Sequence, residues 1–456
     1  MKLFAIFVVN LILISSSVLA GPIDVTETEE TYPTTVTEEP STMTTIVETT
    51  TEQMKTTRTP YHSSFKNTDC NFTACVAPDC QCLQDLPPNG MNIDDIPQFV
   101  IVTFDGAVTV TNFPYYQTLF DFKNPNNCPI EATYFVSHVD SNYKLVHELY
   151  RRGNEIGVHS ISKAKNNNQE FWKYLDYEGW RQEMGGQRQI LSKYSEIPIE
   201  KIRGVRAPNL QTAGNVTFTA FVDENFEYDC SNPSRRGINS PFFPYTFDYG
   251  FQRENDCQVQ PCLKKGENYP GFWDVPMNDW DVEYEVQGVK VHRECAMASA
   301  CIMFNKDGSV IYHPTADEIY DLFEYNFNHY YNGNRAPFPL FLSEEWMHDE
   351  AKRNALQRFI QDKLEKHDVF FVSIDEVLQW MQSPTNVHEY IEKTKQCKPI
   401  VKTKCGLKDG EIINDISQFK RKCDYEKIDE LNGQSKRMVI CDDLHCPEHY
   451  PWLNRL

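Results

Sequence analysis

Four short segments of this 456-residue chain end in side chains that can hold charge or move protons. Asp105 follows the apolar run at 99–104, His159 closes the run at 155–159, Arg206 lies within 204–207, and Ser343 follows 340–342. A carboxylate, an imidazole, a guanidinium and a hydroxyl are groups from which acid–base and metal chemistry can be assembled. Each has a plainer reading when taken alone: Asp105 as a helix cap, His159 as a satisfied buried imidazole, Arg206 as the partner of a surface acid. Four of them at strand ends argue for a shared site, because α/β barrels build their sites at those ends.

The elements that must carry these groups follow from hydrophobic patterning. Apolar runs at 99–104, 132–136, 155–159, 204–207, 272–275, 340–342 and 369–373 predict strands. Helical patterns fall at 143–152, 177–194, 316–331 and 349–367. Short strands alternating with helices predict a parallel sheet and an α/β class. The units suit a distorted (β/α) barrel; an open doubly wound sheet has the same local pattern, and the polar strand ends favour the barrel.

The rest of the chain sets the compartment. Residues 1–20 join Lys2 to an apolar stretch and to small Val18 and Ala20, the pattern of a cleaved signal peptide. Fifteen cysteines in an exported chain predict disulfides with one thiol left over. Asn71-Phe72-Thr73 and Asn215-Val216-Thr217 are N-glycosylation sequons. Residues 21–64, rich in Thr and Glu without apolar periodicity, predict a disordered, mucin-like stalk. A Cys-rich segment at 65–97 precedes the barrel region at 98–382. Residues 383–456 carry Cys397, Cys405, Cys423, Cys441 and Cys446 and predict a separate, disulfide-pinned C-terminal extension. No later run is apolar enough to span a bilayer, which takes ~20 residues. A formal charge of −21 argues against nucleic acid and anionic membranes and suits neutral or amine-bearing glycans.

The segments Thr103-Phe104-Asp105-Gly106-Ala107, His159-Ser160-Ile161-Ser162-Lys163, Arg206-Ala207-Pro208-Asn209-Leu210 and Pro339-Leu340-Phe341-Leu342-Ser343 stand in a telling order. Together they resemble the motifs of the polysaccharide deacetylase family (NodB homology, carbohydrate esterase family 4), nearest to its metazoan chitin deacetylases. The likeness spans about residues 70 to 382 and implies a distorted barrel of the NodB-homology type. It also implies a zinc ion held by an Asp and two His, a second Asp as base toward water, an Arg that orients the base and a late His as acid. Residue by residue, Asp105 matches the base, Arg206 its orienting partner and His159 the first metal ligand. Gly106 stands where the family has its metal Asp, Lys163 where the second metal His belongs, and Ser343 where the acid His belongs. Tyr245, Trp346 and Asp229 fall in matching text and are the expected substrate contacts, with Phe243, Trp273 and Trp280 as further aromatic candidates for sugar stacking or core.

This incomplete set implies impaired catalysis with zinc absent or weakly bound. Zinc sites use three or four protein ligands, and a protonated lysine can only repel the ion. Loss of the acid alone would cost about 10²- to 10⁴-fold. The expected protein is an extracellular, chitin-binding or matrix-organising relative of the deacetylases. The alternatives are an active zinc enzyme with an altered site, drawing on His138 beside Asp105 and His159, and a matrix interaction protein that binds no glycan. One consequence can be measured directly. Lys163→His alone should leave the purified protein without tightly bound zinc by metal analysis, because Gly106 still supplies no ligand; stoichiometric zinc in that variant would contradict the assignment of Gly106 as the missing ligand position.

Overall fold

The computed structural model describes residues 61–453, apart from 62, 64, 236–239, 403–404, 409–410 and 412–414. The expected leader at 1–20 and nearly all of the Thr- and Glu-rich stalk at 21–64 lie outside the described residues. The strands are β1 (Gln98–Gly106), β2 (Thr133–Val136), β3 (Glu155–Val158), β4 (Gly204–Val205), β5 (Tyr228–Asp229), β6 (Pro233–Ser234), β7 (Tyr245–Phe247) and β8 (Tyr269–Asp274). They continue with β9 (Met277–Asn278), β10 (Trp280–Val286), β11 (Val289–Cys295), β12 (Phe338–Ser343), β13 (Val369–Val372), β14 (Lys422–Ile428) and β15 (Gln434–Val439).

One nine-stranded sheet organises the molecule in the order β12-β1-β2-β3-β4-β5-β8-β7, with β13 also pairing β1. All its pairs are parallel except β7 on β8. The sheet curls as an incompletely closed barrel, the expected α/β class. β1 is its spine. Every residue of β1 is buried, which its nearly continuous apolar run permits, since a parallel strand covered on both faces need not alternate. It pairs with β12 along Val100 to Asp105, with β13 along Gln98 to Ile101 and with β2 along Thr103 to Gly106. The register sets Asp105 beside Ser343, so the two motifs at these strand ends meet.

The seven expected strands are all present. The helix 316–331 starts at Thr315, whose side chain and that of Glu318 cap each other's backbone reciprocally. The stretch 177–194 is helical but contains a π-helical segment at Arg181–Gly185. Two antiparallel hairpins, β10–β11 and β14–β15, were not expected, because their strands are mostly polar and partly exposed.

Fourteen of the fifteen cysteines pair: Cys70–Cys82, Cys75–Cys80, Cys128–Cys397, Cys257–Cys262, Cys295–Cys301, Cys405–Cys441 and Cys423–Cys446. The remaining one, Cys230, is buried. The C-terminal extension is pinned by disulfides, yet it is not separate. Cys397 bonds Cys128, Lys144 pairs with Asp442 at 2.8 Å, and Arg151 donates to the Leu407 carbonyl at 2.9 Å. Its scattered apolar residues, among them Val439, Ile440, Tyr450 and Trp452, are buried in the main core. A tail this polar has too few apolar side chains for a core of its own, so it completes that of the barrel.

Gly204 shows how tightly the sheet is built. A Cβ there would lie 1.9 Å from Tyr228 Cζ, and Tyr228 is held by the bond from its hydroxyl to Glu155 at 2.7 Å. Gly204→Ala should therefore lower stability by about 1–3 kcal/mol in urea unfolding, the usual cost of overpacking. An unchanged midpoint would show that Tyr228 is free to move aside.

Candidate active site

The site is assembled around Arg206, which follows β4 and is fully buried. Its guanidinium donates to Asp105 Oδ1 at 2.7 Å, Thr103 Oγ1 at 2.6 Å and the Cys230 carbonyl at 2.8 Å, and meets Cys230 Sγ at 2.9 Å. Phe135 and Phe341 flank it, each ring centroid 4.4 Å from Cζ. Burial pushes the Asp105 carboxyl up from its ordinary value, against the opposing pull of Arg206 and Lys163. The leftover thiol of the chain thus backs the arginine, and burial pushes it up to about 12.

His159 leaves β3 beside this pair. Its Nδ1 lies 2.8 Å from the Arg206 carbonyl, which can only accept, so Nδ1 carries the proton and Nε2 the lone pair. Burial, and then the charge of Lys163, lower its pKa well below the ordinary value. The next residue, Ser160, has φ 75°, a left-handed conformation that a non-glycine residue adopts at some cost. Glu183 holds that turn. Its fully buried carboxylate accepts from the Ile161 amide at 3.0 Å, the Ser162 amide at 2.9 Å and the Ser162 hydroxyl. Glu183 belongs to the π-helical segment, a feature often found at functional sites. The sequence signal for it was an acid set among Trp180, Met184 and Gly185 in a helix otherwise turned inward.

A second carboxylate went unnoticed in the sequence. Glu344 follows Ser343, and a Cβ built on Gly106 would lie 2.5 Å from Glu344 Cδ and 2.6 Å from Oε1. Asn112 Nδ2 donates to Glu344 Oε2 at 3.2 Å, and the Ala107 amide also supports the carboxylate. Burial pushes Glu344 up to about 7 while Lys163 pulls it down. Lys163 therefore acts electrostatically on Asp105, His159 and Glu344 together.

The residues present do not fit a zinc ion. His159 offers a suitable nitrogen, but Gly106 has no donor, and no three of Asp105, His138, His159 and Glu344 bring ligand atoms within 4.8 Å of one another. His138, the expected outside ligand, is turned away: its Nδ1 meets the Tyr143 hydroxyl at 2.5 Å, and Tyr450 packs on its ring at 4.7 Å. The other expected contacts divide. Tyr245, Phe243, Trp273 and Trp280 face the core, Trp280 donating to the Pro339 carbonyl at 2.7 Å. Asp229 is fully buried too, accepting from Ser231 and Asn232, and burial followed by the nearby Asp274 pushes it up to about 8. Neither Tyr245 nor Asp229 presents any surface to a sugar in this conformation. Trp346 is mostly buried, but it lines a groove of about 280 Å³ with Phe323, Ile302 and Tyr312, the last two exposed.

A curled parallel sheet with an Asp–Arg pair and an imidazole at its strand ends is the frame of the polysaccharide deacetylases that the motifs resemble. No family model matches the chain. It is 34% identical over 390 residues to chitin deacetylase 8 of Bombyx mori, covering 85% of this chain and 92% of that protein. It is 33% identical over 391 residues to chitin deacetylase 1 of the same species, covering 84% and 68%. Among solved structures it is similar to peptidoglycan deacetylase PdaC from Bacillus subtilis, with 13% identity, a TM-score of 0.33 and coverage of 68% of this chain and 100% of that one. With two relatives of this similarity matched over most of its length, the chain belongs to the chitin deacetylase family.

His138 makes the fold sensitive to acid. Burial lowers its pKa from 6.5 to about 3. Between those values the unfolded chain binds a proton that the folded chain refuses, so this contribution is complete above pH 6.5 and is lost as pH falls toward 3. The slope is at most about 1.4 kcal/mol per pH unit. His138→Phe should flatten the fall in stability across that window in urea unfolding at stepped pH. An unchanged slope would mean that the native fold accepts the proton.

Proposed function

We propose that the protein is a secreted chitin deacetylase-like protein that binds chitin or a related N-acetylglucosamine polymer and deacetylates it poorly or not at all. The observation that carries this reading is Gly106, which offers no side-chain donor where the resemblance implies a metal ligand and whose side-chain space is taken by Glu344. Attack on an acetamide develops an oxyanion, and a metal would stabilise it and acidify the attacking water. With this donor set Asp105, held by Arg206, keeps the position of a base, but nothing polarises the carbonyl. Ser343 stands at the acid position, and a serine hydroxyl is too weak an acid to protonate a departing amine.

Binding is supported by the groove beside Trp346, where exposed Tyr312 and Ile302 offer apolar surface of the kind a pyranose ring packs against. Export is supported by the disulfide set, by the exposure of both sequon residues, Asn71 and Asn215, and by the leader pattern. Among the described residues no helix is long and apolar enough to cross a membrane. An active deacetylase with an altered metal site would draw on His138 beside Asp105 and His159, but His138 is turned toward Tyr143 and Tyr450.

The test joins three readouts on the purified secreted protein. It should be retained on chitin beads, contain no stoichiometric zinc, and release acetate from a chitin oligomer at least about 10²-fold more slowly than an active relative, the scale of a missing general acid. Bound zinc with rapid acetate release would establish the active enzyme instead. Failure to hold chitin would leave a matrix interaction protein.

A further inference from the structure

The family's first strand should offer a metal ligand at position 106, and this chain has glycine there. That glycine is not simply a gap. Its φ of 136° is a conformation that side-chain-bearing residues rarely adopt, and the space a Cβ would need is taken by three atoms of Glu344 within 2.8 Å. The register sets Ser343 beside Asp105, so the next residue on β12's side arrives over Gly106. Glu344 is also anchored. Asn112, itself buried, donates to it while bonding the Ala107 carbonyl at 2.8 Å and accepting from the Thr109 amide at 2.8 Å, so the amide that orients Glu344 is fixed at both ends.

We propose that Glu344 is a built-in plug of the metal position: its carboxylate, delivered from the end of β12 and held by Asn112, fills the space over Gly106 that a ligand side chain would need. The inference rests on reading the site as impaired and names the residue that keeps it so. Two residues from different parts of the chain are thus mutually dependent: Gly106 leaves the room that Glu344 fills. Restoring the ligands at 106 and 163 without trimming Glu344 would force two carboxylates into one space, so the lost ligand cannot be regained by reversal at its own position.

A double-mutant cycle on the full chain tests this, read as the unfolding equilibrium constant. The cost of Gly106→Ala should be about tenfold greater with Glu344 than in a Glu344→Ala background, since the φ strain is common to both and cancels. Additive effects would overturn the steric assignment. Zinc titration gives an independent readout. Gly106→Asp with Lys163→His should bind zinc at least about tenfold more weakly than the same pair combined with Glu344→Ala. No gain on trimming Glu344 would overturn the plug, and so would wild-type protein that holds zinc and loses it on Glu344→Ala, which would make Glu344 a ligand. Acetate release by the wild type tests the proposed function and leaves the coupling between 106 and 344 to the cycle and the titration.

Discussion

A single buried cation organises the mouth of this barrel. Arg206 has no access to water, and a guanidinium so placed must find its partners inside the protein, because removing one member of a buried pair costs about 3–5 kcal/mol. Asp105 and Thr103 come from β1, Cys230 from the turn after β5, and the flanking rings of Phe135 and Phe341 from β2 and β12. Four strands are thus held in one arrangement by the need to satisfy one charge. The unpaired cysteine, Cys230, serves as part of the same cage, its sulfur 2.9 Å from Arg206.

The pocket beside that pair keeps its charges in local balance. Asp105 faces Arg206, Glu344 lies in the field of Lys163, and His159 stays neutral because burial and Lys163 both oppose its protonation. Glu183 performs a different service, closing the backbone amides of the turn that carries His159 to Lys163. Carboxylates left uncompensated in so dry a site would cost several kcal/mol per ion.

Much of this was legible in the chain. The seven strands of the expected barrel are buried apolar runs bounded by turns, and such runs read clearly because burial on both faces removes the need for alternation. The hairpins were not legible, since β11 and β14 present mostly polar residues to solvent. The C-terminal extension was misread as separate because its composition is that of a surface, and only the packing of Tyr450 and Trp452 against His138 shows which surface they cover. The aromatic residues were read as possible sugar platforms, and most of them turned inward. A tryptophan's identity says that it has area to bury and leaves open on which side.

The sequence by itself determined the identities at the strand ends: Asp105, His159 and Arg206 in order, and Gly106, Lys163 and Ser343 where the resemblance calls for two ligands and an acid. Those facts need only residue type and spacing along the chain. The tertiary structure alone decided that Glu344 occupies the room over Gly106, that Glu183 holds the His159 turn, that Cys230 backs Arg206 and that His138 belongs to the packing of the C-terminal extension. Each of these joins segments between about twenty and more than three hundred residues apart. Strand register and side-chain direction set such contacts, and both are settled only when the whole sheet closes around its core.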